Sequence, residues 1–130
     1  MNLTSRVEAA TKVFNVPCLL TGATRQSLQK PVPLRRLCRG RLTGMTDPVE
    51  LNELAAYSNH PTWLAQRDRY EAALLLYEKQ QPAECVAACQ AIQTEFGPAD
   101  GPTNWLLRHA EQRLAAGDEP YDPVFAVETK

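Results

Sequence analysis

Leu3, Val7, Ala10 and Phe14 recur at steps of four, three and four, one apolar stripe of a helix that ends near Asn15, ahead of Pro17. Val16-Pro-Cys-Leu-Leu-Thr21 is then an apolar run of strand length, and Gly22 to Gln29 reads as two helical turns stopped before Pro31. From Val32 to Leu42 the period changes to two, with Arg35, Leu37, Arg39 and Arg41 on one face and Cys38, Gly40 and Leu42 on the other. Thr43 to Asp47 supplies turn residues around Gly44, and Pro48 to Leu54 is a further strand, so the pair reads as a hairpin. Helix, strand, helix and hairpin make a partial sheet of an α+β fold. Three strands alone are marginal. The pattern therefore predicts that further sheet-forming chain is missing upstream.

Residues 55–60 read as a linker, after which the period returns to that of helices. Pro61 suits a first helical turn, and Trp63, Tyr70, Leu74 and Tyr77 run down one side of a helix to about Lys79. Pro82 opens a second helix with Cys85, Cys89, Ile92 and Phe96 on its stripe, and Gly97 to Pro102 ends it. A third carries Leu106, Leu107, Ala110 and Leu114, and the punctuated acidic residues 117–130 read as an extended tail. Two helices around a short turn, with Ala72, Ala73, Ala87 and Ala88 at the crossing, resemble a tetratricopeptide-type (TPR-like) unit. Such units stabilise by stacking, so the third helix or a partner protein has to cover the open side.

Composition narrows the class only slightly. The 130 residues are 44% apolar and 22% charged, the balance of a soluble globular chain, with no run long enough for a membrane segment and no signal core. A cytoplasmic location is the default, in which Cys18, Cys38, Cys85 and Cys89 stay reduced and serve as small core residues. Without a Cys-x-x-Cys pair, and with His60 and His109 isolated, zinc is not indicated. Net charge is −1, but residues 1–54 carry +4 and residues 55–130 carry −5. That asymmetry predicts two units with different surroundings. The basic one reads as a solvated strand face or a meeting place for a phosphate, with too few interleaved aromatics for nucleic acid.

Asn2 and Arg6 lie four apart on the first helix and project from one face. An arginine suits charge developing on a transferring phosphoryl, and an amide can orient a sugar or base. Their surroundings resemble class III adenylate/guanylate cyclases. Asn2-Leu-Thr-Ser-Arg-Val-Glu8 is similar to that family's Asn-x-Ala-x-Arg-x-Glu helix, and Val16-Pro-Cys-Leu-Leu20 to its buried Val-Pro-Ile-Leu strand. Ala23-Thr-Arg25 resembles the helix start that follows, and Asp47-Pro-Val-Glu-Leu-Asn-Glu-Leu54 the last strand. Tyr121 to Lys130 also looks like the tail that closes some bacterial cyclases.

The resemblance implies a ferredoxin-like sheet in residues 1–54, a TPR-like segment in 61–116 and a role in cyclic nucleotide signalling. It carries nucleotide placement to Asn2 and transition-state stabilisation to Arg6. It also implies a homodimer or a second cyclase domain, ATP or GTP bound only in the assembled site, and two Mg or Mn ions held by the other domain's aspartates. Two departures weigh against activity in this chain alone. The family's Val-Lys-Gly-Lys turn is here Leu42-Thr43-Gly44-Met45, without either lysine, and the metal-binding aspartates belong upstream of Met1, as though translation began inside the domain. Lacking carboxylates for the ions, the chain alone is expected to be inactive. The alternative is a non-catalytic interaction or dimerisation module that retains a cyclase remnant.

Overall fold

The computed structural model describes residues 3–27, 33–54, 61–117 and 119–127. The expected linker at 55–60 and residue Asn2 lie outside them. Helix α1 (Leu3–Phe14) buries Val7, Ala10 and Phe14. It stops at Asn15, whose φ of 57° is a left-handed conformation that asparagine tolerates, and Val16 N–H returns to the Thr11 carbonyl at 3.1 Å. Strand β1 (Leu19–Thr21) follows, and Thr21 caps helix α2 (Gly22–Gln26) by accepting from the Thr24 N–H. Strands β2 (Arg35–Leu42) and β3 (Val49–Glu53) form the expected hairpin.

Helices α3 (Pro61–Glu78), α4 (Pro82–Phe96) and α5 (Gly101–Ala116) come next. Helix α3 closes much as α1 does: Gln80 takes a φ of 67°, and Gln81 N–H reaches the Leu76 carbonyl at 3.0 Å. Asp100 caps α5, accepting from Thr103 N–H at 3.2 Å and Thr103 Oγ1 at 2.6 Å. Trp63, Tyr70, Leu74, Tyr77, Cys85, Cys89 and Ile92 are buried as their stripes predict. Leu114 is not: it stands 48% exposed in the last turn of α5, past the point where Leu106 and Ala110 of the same stripe are buried.

Among the described residues the fold is α+β, with five helices and a four-stranded mixed sheet in the order β1-β3-β2-β4. The fourth strand corrects the three-strand reading. Phe125–Val127 in the tail is β4, lying parallel to Gly40–Leu42. A second correction concerns the alternation in β2. A bulge between Arg36 and Cys38 breaks the period, so Arg35, Leu37 and Cys38 are all buried. Cys18, expected within a buried strand, is half-buried just ahead of β1.

Nor is the sheet isolated. One hydrophobic cluster runs from Val7 to Val127 and includes residues of α1, the strands and α3–α5. The edge of β2 is closed in two halves: β4 pairs with residues 40–42, while α3 side chains serve residues 36–37. There Glu71 accepts the Arg36 N–H at 2.8 Å, and Tyr70 donates its hydroxyl to the Leu37 carbonyl at 2.7 Å. Backbone groups that an edge strand would leave open are thereby satisfied. Helix α5 closes onto α1 so tightly that a Cβ on Gly101 would collide with the Phe14 carbonyl oxygen. The core that three strands cannot supply comes from the helices. No helix among the described residues is long and apolar enough to cross a membrane.

Candidate functional site

The turn between β2 and β3 closes through Met45 N–H to the Leu42 carbonyl at 2.9 Å, with Gly44 at φ 81°, the geometry of a type II turn. Arg6 of α1 lies against this turn. A Cβ built on Gly44 would stand 2.6 Å from Arg6 Nη1 and 3.2 Å from Nη2, so the absent side chain is what lets the guanidinium rest there. Arg6 itself is half-buried. Two segments separated by almost forty residues, the helix that carries Arg6 and the turn that lacks lysine, therefore converge on one spot. Thr43 is exposed and donates toward the Val127 carbonyl at 3.4 Å. Arg41 is held to the tail side, with Nε on the Thr46 carbonyl at 3.0 Å and Nη1 on Asp122 at 3.1 Å.

A second cluster forms where α2 meets β3. Arg25 Nη1 donates to Asn52 Oδ1 at 2.9 Å, and Asn52 Nδ2 donates to Glu50 Oε1 at 3.2 Å, which satisfies a fully buried asparagine. The quoted segments around Arg25 and Asp47–Leu54 thus touch one another. They do not join Arg6: Gly44 and Asn52 sit toward opposite ends of the hairpin. A cavity of about 350 Å³ lies between α1, β1 and α2. It takes Val7, Glu8 and Thr11 from α1, with Cys18, Leu20 and Thr24 opposite, but not Arg6. With no cation among the described residues of its walls, it suits an apolar group better than a phosphate.

The strongest electrostatic feature was not singled out from the sequence. Arg35 is 2% exposed in the middle of the structure. Its Nε donates to Glu53 Oε1 at 2.7 Å, while Nη1 and Nη2 fork onto Asp100 at 2.8 and 2.9 Å. Burial opposes the charge on Arg35, yet the hydrogen bonds and charge of Asp100, with Glu53 beside it, raise the guanidinium above its ordinary value. Burial pushes Asp100 up, but the bonds and charge of Arg35 and the donors of Thr103 hold it below the usual carboxylate range. Burial dominates at Glu53, which stays raised although Arg35 pulls it down. Gly97 to Pro102 read only as the end of a helix; neither the Asp100 cap nor its pairing with a strand arginine 65 residues away was read from the sequence.

The cysteines are free: Cys38, Cys85 and Cys89 are buried, and burial raises the Cys38 thiol. Among the described residues, no three His, Cys, Asp or Glu side chains gather as a metal-binding group. The Mg or Mn ions implied by the resemblance are accordingly assigned to no residue here. No family model matches this chain, and neither does any curated protein or any solved structure.

Proposed function

We propose that residues 1–54 are the C-terminal portion of a class III nucleotide cyclase domain, with a ferredoxin-like sheet, and that residues 61–116 are its TPR-like extension. In this reading the chain works in the cytoplasm, in cyclic nucleotide signalling. It supplies Asn2 and Arg6 to an active site completed by a second cyclase domain, which brings the Mg or Mn ions. A guanidinium at that position offsets the charge that builds on the transferring phosphoryl, and only there does it contribute to rate. The observation that supports the reading is the Arg6 guanidinium lying on the Gly44 turn. The helix quoted for the resemblance and the turn that stands, without its lysines, where the family has Val-Lys-Gly-Lys meet there in space, as parts of one site would.

The test is complementation. Purified chain with ATP or GTP and Mn²⁺ or Mg²⁺ should yield no cyclic nucleotide. Adding a cyclase domain that keeps its aspartates but has lost its own Asn/Arg pair should restore synthesis, and Arg6→Ala should abolish the restored rate. Product from the chain alone would overturn the incomplete half-site, and complementation indifferent to Arg6→Ala would overturn its role.

One observation favours a second reading, a non-catalytic interaction module. Helices and sheet share one core in this chain, through Tyr70 on Leu37 and Asp100 on Arg35. A fold that closes on its own helices has less need of an upstream sheet. A folded chain that neither complements nor is protected by ATP from proteolysis would select that reading.

A further inference from the structure

A second cavity, of about 620 Å³, opens beside β4, with residues 124–126 along it and His109, Gln112 and Arg113 of α5 in its wall. Its open surface is mainly polar. The rings of Trp105 and Phe125 are buried against their neighbours, so what residues 124–126 offer to the space is largely backbone. β4 is the last strand of the sheet, and among the described residues no strand pairs with its outer side.

Two contacts fix the direction of its backbone groups. A Cβ on Gly40 would stand 3.3 Å from the Phe125 carbonyl oxygen, and Thr43 Oγ1 donates toward the Val127 carbonyl at 3.4 Å. Both carbonyls therefore turn in toward β2. Successive residues of a strand alternate, so the N–H and C=O of Ala126 turn outward. Glu71 and Tyr70 close the neighbouring stretch of β2, but among the described residues no side chain or turn does the same for Ala126. Its side chain is a single exposed methyl, which leaves room for another strand.

The rim beside this edge is cationic. Arg113 is held in place without being neutralised: its Nε donates to Tyr77 Oη at 3.3 Å, and its guanidinium lies 5.0 Å over the Tyr121 ring. Arg108 lies near His109 on the same helix. Among the described residues no carboxylate forms an ion pair with either arginine. Asp122 is close enough to feel Arg113 but is bonded to Arg41. The Nη side of a planar fork thus stands free next to an open strand edge.

We infer that this edge takes an extended, acidic peptide segment of a partner protein, which adds to β4 as the outermost strand and sets a carboxylate on Arg113. Backbone bonds at Ala126 fix the register, and the guanidinium fork selects for acid by donating two parallel N–H bonds. Gln112 and His109 have further donors in the same wall. A neutral segment gains the ladder but leaves the fork unmatched, and a small anion gains only a charge in contact with water. The proposal rests on neither reading of the chain's function, since strand addition needs no nucleotide.

Fluorescence anisotropy of a dye-labelled peptide, titrated with the full chain, tests it. The probe is a capped hexapeptide of alternating Thr and Glu. Its controls carry Gln in place of Glu, or N-methyl groups on the Thr amides or on the Glu amides. Saturable one-to-one binding is expected, about tenfold tighter than for the Gln form. One N-methylated form, the one whose donors would face β4, should lose binding while the other keeps it. Arg113→Gln should erase the tenfold preference, and Arg113→Lys should restore part of it. Ala126→Pro should abolish binding of every peptide. It removes an outward N–H and spares the β2 ladder, a position where an edge strand tolerates proline, and the thermal midpoint checks that the fold survives. If the fold does not survive, the two N-methylated forms decide the matter alone. No binding up to millimolar chain, equal affinity for the Gln form, equal binding of both N-methylated forms, or an intact Ala126→Pro that still binds would each overturn the site. So would a dimer, seen by light scattering, that Ala126→Pro dissolves, because a second copy would then occupy the edge.

Discussion

At one end of the sheet the two halves of the chain meet through charge; at the other they meet through rings. The polar seam joins Arg35 to Glu53 and Asp100, and Arg36 to Glu78 of α3. The aromatic seam runs Phe14–Trp105–Phe125–Tyr77–Tyr121, linking α1, α5, the tail strand and the end of α3 at centroid spacings of 4.5–4.8 Å. Rings bury area and pack adaptably, so that seam stabilises without demanding one exact set of partners. A buried arginine is different. It costs desolvation that only its own two carboxylates offset, so it penalises every other docking of helix on sheet. Specificity comes from the first seam and bulk stability from the second.

Breaking the polar seam should have the largest effect. Asp100→Ala leaves the buried guanidinium with Glu53 as its one carboxylate and its Nη fork unmatched, at about 3 kcal/mol, and also removes the cap of α5, at about 1 kcal/mol more. That is a large share of the ~5–15 kcal/mol expected for a whole domain. Urea unfolding at pH 7 measures it. Lowering the pH sharpens the assignment. Asp100 has a depressed folded pKa, so its contribution is full above the unfolded value near 3.9 and fades as pH falls through the folded one. The gap between wild type and Asp100→Ala should therefore narrow below about pH 4. A gap that stays constant with pH would show the loss to be a matter of packing and not of charge.

The aromatic seam should respond less and without that pH signature. Phe125→Ala removes the ring between Trp105 and Tyr77 and should cost about 3 kcal/mol, at the lower end for such truncations because a three-residue strand can detach from the rest. Its cost should be equal at pH 3.5 and pH 7, read from the same urea curves. If it instead equals or exceeds that of Asp100→Ala, the ordering of the two seams is wrong.

Much of one seam was visible in the sequence and little of the other. The stripes that put Trp63, Tyr70, Leu74, Tyr77 and Phe14 inside are periodic, and periodicity survives without knowledge of neighbours. The split between a basic first half and an acidic second half was visible too, but its meaning was not. It read as a solvated strand face or a meeting place for a phosphate. The described structure supplies many of the anions from within: Arg35 meets Asp100, Arg36 meets Glu78 and Arg41 meets Asp122. Pairings 42 to 81 residues apart leave no local trace. The tail strand was hidden for a related reason. Three residues, Phe125–Val127, are too few to show a period, and they become a strand only because Gly40–Leu42 offers an edge.

The smallest predicted effect sits where the aromatic seam turns polar. His109 touches Trp105 and Phe125 on one side and has Arg108 and Arg113 near it on its own helix. Burial first, then those two cations, disfavour its protonated form in the folded chain. A histidine whose folded pKa lies below its unfolded value near 6.5 binds its proton more tightly when unfolded. Stability should then be full above that unfolded value and fall as pH drops from about 6.5 toward the folded value. Glu53 works the other way at lower pH, since its raised carboxyl favours the protonated folded state, so the slope has to be read as a difference between variants. His109→Gln keeps an amide donor and cannot titrate. Its thermal midpoint should change less between pH 7 and pH 5.5 than that of the unaltered chain, while Arg113→Gln, which removes one of the two cations, should show an intermediate slope. Identical slopes for all three proteins would mean that the imidazole is as free to take a proton as it is in water, and that the seam has no polar end.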